Sequence, residues 1–213
     1  MLTSEPVDVE TRTIGATVHG RYLVRSGPPE RLLVGFHGYA ENAERHITEL
    51  GRIPGVEKWT VAAVQALHPF YLPRTQEIVA SWMTRQEREL AIADNKVYVR
   101  SVVSALPRPH ALVFLGFSQG TAMAYRAAAD QRSAAVIVLG GDLPPDVTAG
   151  IPPVLIGRGT DDDWYTAEKF EKDLKFLKTV TSVTPCLYDG AHEWTDEFRV
   201  AAGEFLGTIS DKG

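Results

Sequence analysis

The sequence predicts an α/β fold in which helices flank a mainly parallel sheet. Short apolar runs recur along the chain and alternate with longer stretches of helical periodicity. Most of these runs are continuously apolar, which is typical of strands whose two faces are both covered. Because strands and helices alternate, the pattern favours parallel pairing with helices packed on the sheet.

The strands are predicted from the N-terminus onward. Residues 9–18 and 21–25 are strand-like and are separated by His19 and Gly20, so they predict an antiparallel hairpin at one edge of the sheet. Later apolar runs predict buried strands, and they read RLLVGFHG, TVAAVQA, HALVFLGF, SAAVIVLGG, PPVLIGRG and SVTPCLY.

The helices are predicted by apolar residues spaced three and four positions apart. A further helix, QGTAMAYRAAAD, follows Ser118 directly. The least regular stretch is residues 65–85, and a loop of this length in a compact domain is often functional. The apolar stripes are Val99, Val102, Val103 and Leu106 in a segment from about Glu87; Ala167, Phe170, Leu174 and Leu177; and Phe198, Ala202, Phe205, Leu206 and Ile209.

Length and charge limit the classes of function. The chain has 213 residues, and no linker or repeat divides it, so residues 1–213 predict one domain. The net charge is −5 without a basic run, which argues against nucleic acid or an anionic membrane surface as the main partner. With no secretory signal pattern and no membrane-span run, the sequence predicts a cytoplasmic protein without stable membrane insertion. The single cysteine, Cys186, excludes an intrachain disulfide.

Ser118 lies between two glycines in the stretch LGFSQGTAMA. A predicted strand ends just before it and a predicted helix begins just after it, so the serine occupies a sharp strand-to-helix turn. Gly116 and Gly120 would relieve the crowding of such a turn. The serine Oγ would then project from the carboxyl end of the sheet, beside a helix N-terminus that favours negative charge. The alternative is a glycine-rich turn without chemistry; the flanking pattern favours a nucleophile.

A nucleophilic serine needs a base, and the base needs an orienting acid. His192 follows the last predicted strand, which is where this strand–turn–helix arrangement places the base. His37 precedes the serine, an order that suits an all-β protease and disagrees with the strand–helix alternation. The other histidines are expected at the surface or in the irregular stretch: His19, His46, His110 and His68.

The acid has four candidates. Asp161, Asp162 and Asp163 follow a predicted strand, and Asp142 follows the strand before it. The three adjacent carboxylates also fit a divalent cation, but no supporting ligand appears elsewhere in the sequence. The carbonyl oxygen of a reacting acyl group needs two aimed N–H groups as well. Gln119 should provide one, and the turn formed by His37 and Gly38 makes the Tyr39 amide the natural second donor.

At these residues the sequence resembles the phospholipase/carboxylesterase branch of the α/β-hydrolases, relatives of the acyl-protein thioesterases. The resemblance is carried by FHGYAEN, GFSQGTAMA, GRGTDDDWY and GAHEW, and its register runs from residue 32 to about 209. It implies an α/β-hydrolase fold and hydrolysis of carboxylic esters or thioesters without a cofactor or metal. It also implies Ser118, His192 and Asp162 as the catalytic triad. Asp161 and Asp163 stay open, since the acid segment has Arg158 in place of the family's histidine and lacks its proline.

The substrate site is predicted from loop lengths and aromatic residues. The longest connection after Ser118 is residues 140–153, so no lid domain is expected, and the open site favours small or medium acyl esters. Phe70, Tyr71 and Trp82 are candidates to line an acyl pocket, with core packing as the alternative. A C–C bond hydrolase, a perhydrolase or a non-catalytic binding module are the competing functions. The sequence carries no signal of oligomeric state, although Trp59, Trp164 or Trp194 would suit a contact surface.

Overall fold

The computed structural model describes residues 9–210. In chain order, the first strands and helix are β1 (Tyr22–Arg25), β2 (Arg31–Phe36), α1 (Ala43–Gly51), β3 (Thr60–Val64), β4 (His68–Tyr71) and β5 (Ile78–Ser81). A single 3₁₀ turn, Val56–Lys58, precedes β3. The remaining elements are α2 (Arg88–Ser104), β6 (Ala111–Phe117), α3 (Gln119–Asp130), β7 (Ala135–Leu139), β8 (Val154–Gly159), α4 (Ala167–Val180), β9 (Val183–Tyr188) and α5 (Asp196–Gly207).

The central sheet has seven strands in the order β1-β3-β2-β6-β7-β8-β9. Pairing is parallel at each step except between β1 and β3, which confirms the predicted mainly parallel sheet. Every residue of β3, β6, β7 and β8 is buried, as the continuously apolar runs indicate. The carboxyl ends of β2, β6, β8 and β9 therefore meet at one edge, where loops can bring side chains together.

Helices cover both faces of the sheet. Successive residues of β2 point to opposite faces, so Val34 packs in the core under α2, α3 and α4, whereas Leu33 packs in the core under α1 and α5. The first core includes Val99, Met123 and Phe170, and the second includes Leu50, Phe198 and Leu206. Helix α3 meets β6 and β7 closely, and this fixes the turn that carries Ser118.

The predicted N-terminal hairpin is wrong in its first strand. Residues 9–20 form no strand, and their apolar side chains are exposed, Ile14 at 95% and Val9 at 78%. An alternating pattern needs a surface to bury one face against, and this segment has none. The antiparallel edge comes instead from β1 alone, which pairs with β3 from Tyr22 opposite Val64 to Arg25 opposite Val61.

Two further elements differ from the sequence pattern. Helix α1 is not predicted, because its nine residues carry several charges and only a short apolar stripe. It begins where the Asn42 side chain accepts the Arg45 N–H at 2.9 Å. The irregular stretch 65–85 contains the two-stranded β4–β5 sheet, whose β5 also bridges to Glu41 through Ala80.

None of the helices within residues 9–210 combines the length and the apolar character needed to cross a bilayer.

Candidate active site

Ser118 lies in the turn between β6 and α3. Its backbone has φ 51° and ψ −119°, a conformation that a residue with a side chain rarely adopts. Such a residue costs about 1–3 kcal/mol and persists where its surroundings determine it. Here the Ser118 N–H donates to the Leu139 carbonyl at 2.8 Å, and the Ser118 carbonyl accepts from the Thr121 N–H at 3.0 Å. The turn is thus fixed by the neighbouring strand and by the helix that it starts.

The glycines on either side of this turn are required by close backbone contacts. A Cβ atom on Gly116 would lie 2.3 Å from the Gly120 carbonyl oxygen, and a Cβ atom on Gly120 would lie 2.0 Å from the Phe36 carbonyl oxygen. Neither backbone atom can move aside as a flexible side chain could. Gly116 and Gly120 therefore let β6, α3 and β2 approach each other closely enough to place Ser118 at the sheet edge.

Ser118, His192 and Asp162 form a hydrogen-bonded chain. The Ser118 hydroxyl lies 2.8 Å from Nε2 of His192, and Nδ1 of His192 lies 2.8 Å from an Asp162 carboxylate oxygen. An ionised carboxylate only accepts hydrogen bonds, so Nδ1 carries the ring proton and Nε2 is free to accept from the serine. The imidazole ring also packs on Phe117, with ring centroids 5.2 Å apart, and on Trp164 at 6.4 Å.

Asp162 is the carboxylate that contacts His192 among the four candidates. Its second oxygen accepts the backbone N–H groups of Trp164 at 2.9 Å and Tyr165 at 2.8 Å, and its side chain is fully buried. These bonds hold the carboxylate in one orientation. Asp142 instead forms an exposed ion pair with Lys169 at 3.3 Å. Asp161 and Asp163 are exposed to solvent.

Arg158 stands where the family resemblance expects a histidine, and its side chain supports the acid loop. Its Nε donates to the Tyr165 carbonyl at 2.7 Å, and a terminal nitrogen donates to the Thr160 carbonyl at 3.1 Å. The guanidinium therefore spans the loop that presents Asp162. This departure from the family pattern leaves the position of the carboxylate intact.

The loop after β2, residues 37–42, lies against the serine turn. A Cβ atom on Gly38 would be 3.3 Å from the Cβ of Ser118. Within residues 9–210 the Tyr39 N–H has no hydrogen-bond acceptor. The Gln119 N–H opens α3 and so has no acceptor in the helix. The two amides that the sequence suggests as anion donors are therefore unused by the rest of the fold.

His37 links this loop to the residues that follow β3 through its two ring nitrogens. Nδ1 donates to the Gly38 carbonyl at 2.7 Å, and Nε2 accepts the Ala66 N–H at 3.1 Å. The side chain is completely buried, and burial lowers the pKa of His37 to about 4. A trans peptide directs its C=O and N–H to opposite sides. Binding the Gly38 carbonyl therefore turns the Tyr39 N–H away from the His37 ring.

Glu41 binds the N–H group of Gly38, whose carbonyl is bound by His37. Its carboxylate accepts the Gly38 N–H at 2.7 Å, and burial raises the pKa of Glu41 above its ordinary value. Ala40 lies between them with φ 58°, and its N–H donates to the Ala80 carbonyl at 3.1 Å. Glycine adopts such a positive φ more readily than alanine does. Sequence reasoning missed the roles of His37 and Glu41, although both lie in FHGYAEN.

A cavity of about 470 Å³ opens beside Ser118 and His192. One wall is residues 83–85 and Arg88, between β5 and α2. Residues 140–145 also line the cavity, together with Trp164 and Lys169. The aromatic residues suggested for an acyl pocket, Phe70, Tyr71 and Trp82, are not part of this lining.

Trp82 is a buried brace, so the pocket prediction for it is wrong. Its indole N–H donates to the His37 carbonyl at 2.9 Å, and its ring packs edge-on against Phe36 with centroids 5.5 Å apart. Its backbone N–H donates to the Gln119 side-chain oxygen at 2.8 Å. Trp82 therefore links the 37–42 loop to the start of α3. Residues 83–85, which follow it, reach the cavity in its place.

Phe70 and Tyr71 lie on the β4–β5 hairpin. Tyr71 is 63% exposed, whereas Phe70 packs against Tyr39 of the 37–42 loop with ring centroids 5.7 Å apart. Hydrophobic character alone does not separate a pocket wall from a loop contact. Among the tryptophans, Trp59 is in the core, and Trp164 is 76% exposed at the cavity.

His46 is buried, so the expectation that it lies at the surface is wrong. It is 1% exposed on α1 and packs beside Gly35 and the Trp194 ring. Burial lowers the pKa of His46 to about 3. Neither of its ring nitrogens has a hydrogen-bond partner within residues 9–210. The missed helix α1 explains the error, because the helix turns this side chain toward the sheet.

Across the described part of the chain, no group of three or more His, Cys, Asp or Glu side chains is arranged to hold a metal ion.

Comparison with known proteins identifies the fold. The sequence matches no protein-family model, and no curated protein is significantly similar to it. Among solved structures, esterase PE8 is similar with a TM-score of 0.75 at 20% identity, over 91% of this chain and 100% of that chain. Acyl-protein thioesterase 2 of Zea mays has a TM-score of 0.72 at 16% identity, over 90% and 99%. A phospholipase/carboxylesterase from Dyadobacter fermentans has a TM-score of 0.67 at 17% identity, over 89% and 97%.

The chain therefore has the α/β-hydrolase fold. The predicted fold class is confirmed, and the solved structures that it resembles include esterases, phospholipase/carboxylesterases and acyl-protein thioesterases, the group that the sequence motifs resemble. At these identities the likeness establishes the fold, and the chemistry has to be argued from the residues of the site.

Proposed function

We propose that this protein is a serine carboxylic-ester hydrolase, acting on small to medium acyl esters or thioesters through an acyl-enzyme. The observation that carries the proposal is the hydrogen-bonded chain from Asp162 through His192 to Ser118, at a strained turn on the carboxyl edge of the sheet. A serine hydroxyl is a weak nucleophile until a base accepts its proton, and this geometry provides that base. A binding module would have no need of these three residues in this order.

In the proposed reaction, Ser118 Oγ attacks the acyl carbon while Nε2 of His192 takes the hydroxyl proton. Asp162 keeps the ring proton on Nδ1 and stabilises the imidazolium that forms. The C–O or C–S bond to the leaving group then breaks, and His192 returns the proton to that group. Water attacks the acyl-enzyme by the same route, which releases the acid and restores Ser118.

The negative charge on the carbonyl oxygen needs donors that are already in place. The N–H groups of Tyr39 and Gln119 are the proposed pair. Supporting this assignment, both amides are unused within the described chain, and Gln119 opens a helix whose N-terminus favours negative charge. The contacts of His37 and Glu41 with Gly38 would keep the Tyr39 amide in place before substrate arrives.

The size of the substrate follows from the cavity. About 470 Å³ beside Ser118 is within the range of pockets that hold small organic ligands. No cofactor is needed for this chemistry, since attack, proton transfer and charge stabilisation are all assigned to residues of the chain.

The test is hydrolysis of p-nitrophenyl esters of increasing acyl length by wild type, by Ser118→Ala and by Ser101→Ala. Ser101 is an exposed serine on α2, outside the lining of the cavity, and serves as the matched control. The proposal predicts turnover by wild type and Ser101→Ala, and a fall to background for Ser118→Ala. The acyl length with the highest kcat/KM would show which chain length the cavity accommodates best. Equal rates for wild type and Ser118→Ala at every length would refute the proposal.

A further inference from the structure

The cavity beside Ser118 carries more positive than negative charge. Of the described residues in its lining, Arg85, Arg88 and Lys169 are basic and Asp142 is acidic. Lys169 is already engaged, because its Nζ lies 3.3 Å from the Asp142 carboxylate and 2.8 Å from the Trp164 carbonyl. The other positive charges of the lining are those of Arg85 and Arg88.

Within residues 9–210, neither Arg85 nor Arg88 forms an ion pair with a carboxylate at 4.0 Å or less. Arg88 contributes to lowering the pKa of Asp146, but the chief cause of that lowering is the hydrogen bond from Arg126. Asp146 is committed to that partner, since both carboxylate oxygens accept from the buried Arg126 guanidinium, at 2.8 and 2.7 Å. Both cavity arginines thus keep their donors available.

The placement of these arginines is not explained by stability of the fold. Both residues are exposed, and Arg88 is the first residue of α2. A cation at a helix N-terminus is disfavoured by the helix dipole. The chain as a whole is acidic, with a net charge of −5, so a cationic cavity next to the reacting serine is a local feature and does not follow from the overall charge.

We propose that Arg85 and Arg88 select substrates that carry a carboxylate on the portion occupying this cavity. The inference rests on the proposed ester hydrolysis and narrows its substrate class. A guanidinium presents paired N–H donors that match the two oxygens of a carboxylate. The acid-bearing end of the substrate would contact residues 83–85 and Arg88, while the ester carbonyl lies at Ser118.

The first experimental arm places the charge on the acyl side. Wild type would be given mono-p-nitrophenyl adipate and p-nitrophenyl hexanoate, which share the leaving group and the acyl chain length. The second arm places the charge on the leaving side, with p-acetoxybenzoate compared with p-acetoxybenzamide. We expect a higher kcat/KM for the anionic member in one arm, which identifies the side that occupies the cavity. That preference should weaken as added salt screens the exposed charges.

Arg85→Gln and Arg88→Gln should each reduce this preference about fivefold, mainly through KM, because exposed ion pairs contribute modestly. The quantity compared is the ratio of kcat/KM for the anionic ester to kcat/KM for the neutral ester of the same pair. Arg108→Gln is the control with the same loss of charge, since Arg108 precedes β6 at the opposite end of the sheet and is absent from this cavity.

The inference is overturned if neither arm shows an anionic preference, or if the preference survives in the Arg85→Gln, Arg88→Gln double variant. Its failure would be separable from failure of the proposed function. Neutral esters hydrolysed in a Ser118-dependent way, without preference for a charged one, would remove only the carboxylate assignment. Absence of Ser118-dependent hydrolysis on all four esters would remove both.

Discussion

In the triad, three side chains are bonded to one another, whereas in the 37–42 loop side chains hold the backbone of the loop itself. Ser118, His192 and Asp162 are joined by two contacts of 2.8 Å. In the loop, His37 binds the Gly38 carbonyl and Glu41 binds the Gly38 N–H, each at 2.7 Å. The first region offers reactive side chains and the second offers a peptide N–H. The contrast suggests that substitutions should affect the two regions by different amounts.

The triad should give the largest effect. Replacement Asp162→Asn should lower kcat on a p-nitrophenyl ester about ten-thousandfold, because an amide at this position would favour the wrong tautomer of His192. Steady-state kinetics would measure the loss. Asp161→Asn and Asp163→Asn alter exposed neighbours and should leave kcat near that of wild type. A large loss in either neighbour with an active Asp162→Asn would reassign the acid.

The turn that carries Ser118 should be sensitive to a single added carbon. In Gly120→Ala the new Cβ would lie 2.0 Å from the Phe36 carbonyl oxygen, and we expect the free energy of unfolding to fall by about 3 kcal/mol or more. Urea denaturation would measure it. Gly207→Ala, at a position with open space around the new Cβ, is the control and should change stability little. Equal stability of both variants would contradict the close approach of α3 and β2.

Substitutions in the 37–42 loop should lower kcat less than substitutions of Asp162 do, and they should leave KM nearly unchanged. His37→Gln can retain the acceptor for the Ala66 N–H but loses the donor to Gly38, whereas His37→Asn can retain the donor to Gly38. We expect about a hundredfold lower kcat for His37→Gln, comparable to loss of one oxyanion donor, and a smaller loss for His37→Asn. The KM should change little in both. Equal losses in the two variants would mean that His37 supports the fold without positioning the Tyr39 amide.

The effect expected to be smallest at neutral pH concerns His46, which is buried outside both regions. Burial lowers its pKa from 6.5 to about 3, so between these values the unfolded chain binds a proton that the folded chain does not. Stability is therefore lost as pH falls through this window, by about 1.4 kcal/mol per pH unit for each such proton. His37 adds a similar loss toward its pKa of about 4. In His46→Leu, measured by denaturant unfolding, the free energy of unfolding should change less steeply with pH than in wild type, by up to about 1.4 kcal/mol per pH unit. An unchanged dependence on pH would contradict this.

The closeness of Ser118 and His192 could be predicted from the sequence because each of them follows a strand. Parallel strands end at one edge, so the chain order serine, aspartate, histidine is enough to bring Ser118 and His192 together. The sequence does not distinguish Asp162 from its neighbours. That choice depends on the backbone N–H groups of Trp164 and Tyr165, which reach Asp162 only when the loop is folded.

The cavity could not be predicted in the same way. Trp82 has the aromatic character of a pocket wall, but its indole N–H finds an acceptor in the His37 carbonyl and its ring fills the core beside Phe36. The residues that do line the cavity, such as Met83 and Arg85, follow it within the sequence SWMTR. Residue type indicates that a side chain tends to be buried, whereas tertiary packing decides whether it faces the core or the site.

The proposed function depends most on Ser118 being an activated nucleophile. Treatment with a fluorophosphonate followed by mass spectrometry of intact protein and of peptides tests this without assuming a substrate. We expect one adduct, located on Ser118 in wild type, absent from Ser118→Ala and formed more slowly in Asp162→Asn. Wild type that stays unlabelled, or an adduct that persists in Ser118→Ala, would contradict it.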